Sequence, residues 1–209
     1  EKPRPVFNVT ENTQYYSFDS PQTTRPNHVS VIPPPHYGAL QHDSLGFPLL
    51  SSNVLLAQLL DAYAPIWAIE TRTPADQLGA LIWSGGNVKI DGAPTSYRHV
   101  AYVPFEGKIL VQLLYTVWFP SVPAKKALDL YAGDIDGLTF RVTLDHELQP
   151  LLADIMHNCG CYYMAFPSLQ LTPRPALTPY EEPLWVPYPL NGPKGRERYI
   201  IHLSAGNHF

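Results

Sequence analysis

Proline placement constrains this chain more than any other feature. Of its 23 prolines, eight lie in residues 1–48 and eight more in 167–193, which leaves seven for the long middle. A proline inside a helix costs about 3 kcal/mol, and in a central strand it removes a ladder hydrogen bond. Both flanks are therefore unfit for long helices, and regular structure has to concentrate between them. The Pro33-Pro34-Pro35 run predicts an extended arm over 1–48. A β-rich core is expected over 49–166, a Pro-rich connecting segment over 167–197, and a strand within 198–209 that returns to the core. Such arms stay ordered only when packed on the core or on a neighbour. A protein partner, or a homo-oligomer held through the arms, is the expectation.

Composition narrows the classes. Charged residues make up 15% of the chain, against about 25% in ordinary soluble domains. With 45% hydrophobic residues and a net charge of −4, disorder throughout is excluded. Two cysteines are too few for a disulfide scaffold. The balance of 14 basic against 18 acidic residues does not suit a nucleic-acid binder, and the basic run Lys194–Arg198 is interrupted by Glu197. No apolar run reaches the length of a membrane helix, since Gln58, Asp61 and Gln112 break the longest candidates. The start at Glu1, with few lysines and many tyrosines and prolines, predicts an exported protein, periplasmic or extracellular.

One helix is expected after Ser51-Ser52, because Leu55, Leu56, Leu59, Leu60 and Tyr63 recur at helical spacing and Pro65 stops it. The periodicity then switches to that of strands. Ile66–Glu70, Ala80–Trp83, Val88–Ile90, Arg98–Val103, Ile109–Phe119, Leu128–Tyr131, Leu138–Leu144, Tyr162–Phe166 and Tyr199–Ser204 are the candidates. Pro150–His157 fits a strand or a helical turn, and Asp134-Ile135-Asp136-Gly137 reads as a hairpin turn. The expected fold is mostly β, a sandwich or barrel of antiparallel hairpins with one or two short helices.

Chemistry concentrates at His157-Asn158-Cys159-Gly160-Cys161. In an extended chain His157, Cys159 and Cys161 project to one face, and Gly160 lets the backbone turn. Thiolate with imidazole suits a zinc, copper or iron ion. His202 or His208 would complete the ligand set, with Asp154 and Arg141 as supporting polar residues. The same residues also suit buried or disulfide-bonded cysteines, or a cysteine nucleophile with His157 or His202 as base. Arg141, alternating with Phe140 and Val142, is expected to pair with a carboxylate such as Asp129 or Asp154.

From Leu110 to Pro167 the chain resembles a group of uncharacterised bacterial proteins with an IHxCGCY-type motif. The resemblance rests on Val111-Gln112-Leu113, Tyr115, Trp118-Phe119-Pro120, Asp136-Gly137-Leu138, Arg141-Val142-Thr143-Leu144 and His157–Tyr162. A second histidine often follows the motif in that group, and Tyr163 stands in its place here. The resemblance implies export and adds weight to the His/Cys cluster, but names no activity. Two functions follow as expectations. One is a metal-binding protein of the envelope, open to metalloenzyme chemistry. The other is a structural or accessory subunit held by its Pro-rich arms.

Overall fold

The computed structural model describes residues 10–18, 40–50, 53–124, 126, 128–129, 132–175, 178, 184–190 and 198–209. Pro33–Pro35, Ser51-Ser52 and Lys194–Glu197 lie outside them. Helix α1 spans Asn53–Ala62 and turns Leu59 wholly into the core, and Tyr63, just past its end, is buried there too. Pro65, which has no N–H, ends it as expected. The Arg198 guanidinium donates to the Ala64 carbonyl at 3.0 and 2.9 Å and so closes the helix end. That last residue of the basic run is therefore a cap rather than a solvated loop charge.

Strand β2 (Ile66–Glu70) follows directly. It pairs antiparallel with β1 (Thr13–Ser17) and parallel with β10 (Ile200–Leu203). A piece of the N-terminal Pro-rich stretch thus becomes a sheet strand, and the C-terminal strand flanks β2 on the other side. A 3-10 turn at Pro74–Asp76 leads to the hairpin β3 (Ala80–Ser84) and β4 (Asn87–Asp91). Its turn, Gly85-Gly86, has φ of 61° and 82°, a conformation glycine adopts without penalty.

The main sheet is a five-stranded antiparallel meander of β5 (Ser96–Phe105), β6 (Lys108–Val122), β7 (Gly133–Leu144), β8 (Pro150–His157) and β9 (Met164–Pro167). Alternate residues enter the core: Val111, Leu113, Tyr115, Val117 and Phe119 from β6, and Leu138, Phe140, Val142 and Leu144 from β7. They meet Leu59 of α1, Tyr63 just after it, Trp67 and Ile69 of β2, and Leu203 of β10 in one cluster. Burying each such side chain is worth about 1.5–3 kcal/mol, which makes this layer contact the main stabilising feature. Hydroxyls fasten the layers: Tyr63 Oη donates to Leu148 O and Tyr115 Oη to Leu60 O, both at 2.8 Å.

The fold is mostly β with antiparallel hairpins, and among the described residues there is a single α-helix and no sheet closes into a barrel. Pro150–His157 is a strand. Two expectations need correction. Leu128 and Asp129 belong to no strand, while Leu130 and Tyr131 lie outside the described residues. Asp134–Gly137 is not a hairpin turn but the first half of β7, since β6 runs on to Val122 and pairs with it from Gly133. Among the described residues no helix is long and apolar enough to cross a membrane.

Candidate functional site

The apolar alternation of the main sheet ends in polar residues at one edge. Stepping back along β7 from Leu144 by twos reaches Leu138 and then Asp136. Stepping forward along β8 from Ala153 reaches Ile155 and then His157. Period two therefore aims both side chains at the core face, and Leu138 pairs directly with His157. Ile135 holds φ at 68°, a strained value for a β-branched residue, where the ladder steps from Phe119–Asp136 to Ser121–Asp134 past Pro120. This irregularity lets the strand continue while Asp136 stays on the inner face.

The C-terminal tail brings the next group. After β10, Ser204 N donates to Phe209 O and His208 N to Ser204 O, both at 3.1 Å. This closure puts His208 in the interior with no exposure, stacked on Phe119 at 3.8 Å between centroids and 6° between planes. Its Nδ1 lies 2.8 Å from Asp136 Oδ2, and its Nε2 lies 3.3 Å from Asp76 Oδ1. Asp136 Oδ1 in turn faces His157 Nδ1 at 3.3 Å. Asp76 is anchored by Gly206 N at 2.6 Å, Thr73 N at 2.8 Å, Arg72 N at 3.0 Å and Thr73 Oγ1 at 3.1 Å. Four side chains thus form one buried series: Asp76, His208, Asp136, His157.

The electrostatics favour ionised carboxylates. Burial alone pushes the Asp136 carboxyl up, but hydrogen bonds from His157 and His208, the His157 charge and the Gly137 N–H outweigh it and hold it well below the usual range. Asp76 is likewise lowered, because the backbone donors of Arg72, Thr73 and Gly206 overcome its burial. A buried carboxylate facing imidazoles is a familiar way to orient a ring and select its tautomer. His157 is left with a buried Nε2 that has no hydrogen-bond partner.

The turn after His157 decides what faces it. Gly160 N donates to His157 O at 2.8 Å, His157 N donates to Cys161 O at 3.1 Å, and Gly160 has φ of 90°. Two main-chain hydrogen bonds thus close a turn over His157–Cys161 and bring the Cys161 backbone back beside that of His157. Cys159 sits at the exposed apex and Cys161 is half-buried, and neither is in a disulfide. Tyr162, at φ 55°, breaks the alternation and lays its ring 5.1 Å from His157 and 4.7 Å from Phe209. Trp185 extends this aromatic wall, 5.8 Å from Phe209.

The structure divides the residues singled out by the sequence. His157 and His208 come together, but through a carboxylate rather than around an ion. The expected single face for His157, Cys159 and Cys161 fails at Cys159, because β8 ends at His157 and a turn begins. His202 does not join them. It lies opposite Ala68, in a cleft of about 160 Å³ with Glu70, Ser204 and Phe209, and burial lowers its pKa. Asp154 and Arg141 pair at 2.5 Å on the opposite face of the main sheet, with the Tyr163 ring 6.0 Å from the guanidinium carbon. Burial raises the Asp154 carboxyl, and Arg141 opposes that only in part. Among the described residues no three His, Cys, Asp or Glu side chains are grouped to hold a metal ion. Asp136 and Asp76 were not among the candidates. Counting by twos from Leu138 finds the first, and Thr73-Pro74-Ala75-Asp76, a proline-led turn with a capping carboxylate, marks the second. Compared with protein-family models, curated proteins and solved structures, the chain matches none.

Proposed function

We propose that the protein acts through a thiol–imidazole–carboxylate centre in which Cys161 is the nucleophile, His157 its base and Asp136 the group that orients the base. One observation carries this reading. His157 is fixed through Nδ1 by Asp136 and keeps a buried Nε2 with no hydrogen-bond partner, and the turn that follows it, closed by the His157 N to Cys161 O hydrogen bond at 3.1 Å, brings back the half-buried Cys161, which is in no disulfide. A base held from behind beside a thiol is the arrangement that nucleophilic catalysis requires. The matching chemistry is acyl transfer. The Cys161 proton moves to His157 Nε2, sulfur bonds to a carbonyl carbon, and the leaving group departs with that proton. Water then attacks the thioester, returns a proton through His157 and restores the thiol.

Alkylation tests this. In a Cys159→Ser protein, iodoacetamide should label Cys161 with a pH midpoint clearly below the ordinary thiol value of about 8.5. His157→Ala should abolish that low-pH reactivity. A Cys161 that titrates as an ordinary thiol, with or without His157, would refute the assignment.

A metal-binding reading keeps one specific observation in its favour. A carboxylate behind a histidine ring also orients metal ligands, and His157 with two cysteines outside any disulfide is a donor set for zinc, copper or iron. The described geometry fits it less well, because Cys159 is exposed at the apex of the turn while His157 is buried. His208 is no ligand in this reading, since both ring nitrogens face carboxylates. Elemental analysis after purification without chelators tests it. Less than about 0.2 metal per chain, with no gain on loading, ends the idea.

A further inference from the structure

The C-terminal tail reaches the proposed base by two separate routes. The first runs through Asp136, whose two oxygens are used separately: Oδ1 meets His157 and Oδ2 meets His208. A carboxylate held at one oxygen can still pivot, whereas one held at both cannot. His208 itself is clamped, by the Phe119 face from β6 and by Asp76 from the 3-10 turn. Asp76 is fixed in turn by Gly206 N, a donor from the same tail. The second route is apolar: Phe209 packs on Tyr162, and Tyr162 packs on the His157 ring. Both routes begin in Ser204–Phe209, residues that lie far along the chain from β7 and the 3-10 turn they contact.

We infer that this tail completes the catalytic centre, with His208 and Asp76 as positioning residues that act on His157 through Asp136. The inference rests on the thiol–imidazole reading. It assigns the tail no contact with substrate. It says that the orientation of the base, and hence the thiolate supply at Cys161, depends on the tail being docked. The titratable groups facing His208 are Asp136 from β7 and Asp76 from the 3-10 turn, and beyond Asp136 lies His157 of β8.

The test uses the full chain in a Cys159→Ser background, with iodoacetamide as the probe and the pH–rate profile of Cys161 as the readout. His208→Phe keeps a ring for Phe119 to stack on and removes the nitrogens. His208→Asn keeps a donor for Asp136 and removes the stack. A purely structural role for His208 predicts that neither folded variant moves the profile. The positioning role predicts that His208→Phe lowers the low-pH rate about tenfold, the equivalent of one pKa unit, and that His208→Asn recovers most of it. Far-UV circular dichroism establishes that each variant is folded. If His208→Phe does not fold, Asp76→Asn makes the same test, with a shift in the same direction expected. An unchanged profile in a folded His208→Phe or Asp76→Asn protein overturns the inference while leaving the thiol–imidazole centre standing. An ordinary Cys161 profile in the parent protein overturns both.

Discussion

Replacing Asp136 by asparagine probes the carboxylate on which both imidazoles depend. The side chain is 12% exposed and meets His157 at 3.3 Å and His208 at 2.8 Å. A hydrogen bond to a charged group is worth about 1.5–3 kcal/mol. Asparagine has the same shape but a single acceptor oxygen and no charge. It keeps one of the two contacts as a neutral bond and loses the other, so the expected cost is about 2–4 kcal/mol at pH 7. Urea unfolding reads this directly: with a slope of about 2–3 kcal/mol/M, the midpoint should fall by about 1 M at unchanged slope. The pH dependence supplies a second check. The folded carboxyl lies well below its unfolded value of about 3.9, so its stabilisation is complete above that pH and is lost as pH falls toward the folded value. The gap between the parent protein and Asp136→Asn should therefore narrow by about 1 kcal/mol between pH 5 and pH 3. A gap under about 0.5 kcal/mol at pH 7, or one that stays constant on acidification, would show that the carboxylate is not held by the two rings.

On the other face of the sheet, Arg141→Met strands the Asp154 carboxylate, which is only 2% exposed in its side chain, and should cost about 3 kcal/mol at pH 7. Because burial has already raised that carboxyl, acidification neutralises it and the loss should shrink at low pH, as thermal melts across pH would report. The double variant Arg141→Met, Asp154→Leu should recover most of the stability. Gly137→Ala is a steric test: an added Cβ would meet Trp118 Cε3 at 2.6 Å and the Asn158 amide, which already holds Thr139, so a cost of about 2–3 kcal/mol by urea unfolding is expected.

Most strands were legible because side-chain alternation and turn residues agreed. Ile66–Glu70 and Pro150–His157 have the expected bounds, and β5 and β6 differ only in where their ends fall. The start of β7 was not legible, for a physical reason. Asp134, Asp136 and Gly137 are turn-forming residues by type, and Ile135 at positive φ interrupts the apolar rhythm. What makes them strand is the partner: β6 is long enough to carry the ladder to Val122, and its pairing overrides the local preference. Leu128 carries the opposite lesson. It has strand-like neighbours in sequence but no strand to pair with among the described residues.

His157 and His208 were both picked out, yet as ligands of an ion, because one-dimensional spacing shows which groups carry lone pairs and not which groups they face. The residue that relates them is Asp136, 72 positions before His208. Its carboxylate changes their chemistry: a ring whose Nδ1 is tied to a carboxylate is oriented, and only its Nε2 is left to act. For His208 that second nitrogen likewise makes no hydrogen bond, but it stands 3.3 Å from Asp76 Oδ1, so a carboxylate lies on each side of the ring. For His157 it faces no hydrogen-bond partner, and the turn that follows brings the Cys161 backbone back to that of His157. Of two histidines on one carboxylate, one is therefore built as a support and the other as a reactive group. The register of β7 against β8, together with the turn that pairs His157 with Cys161, makes that distinction.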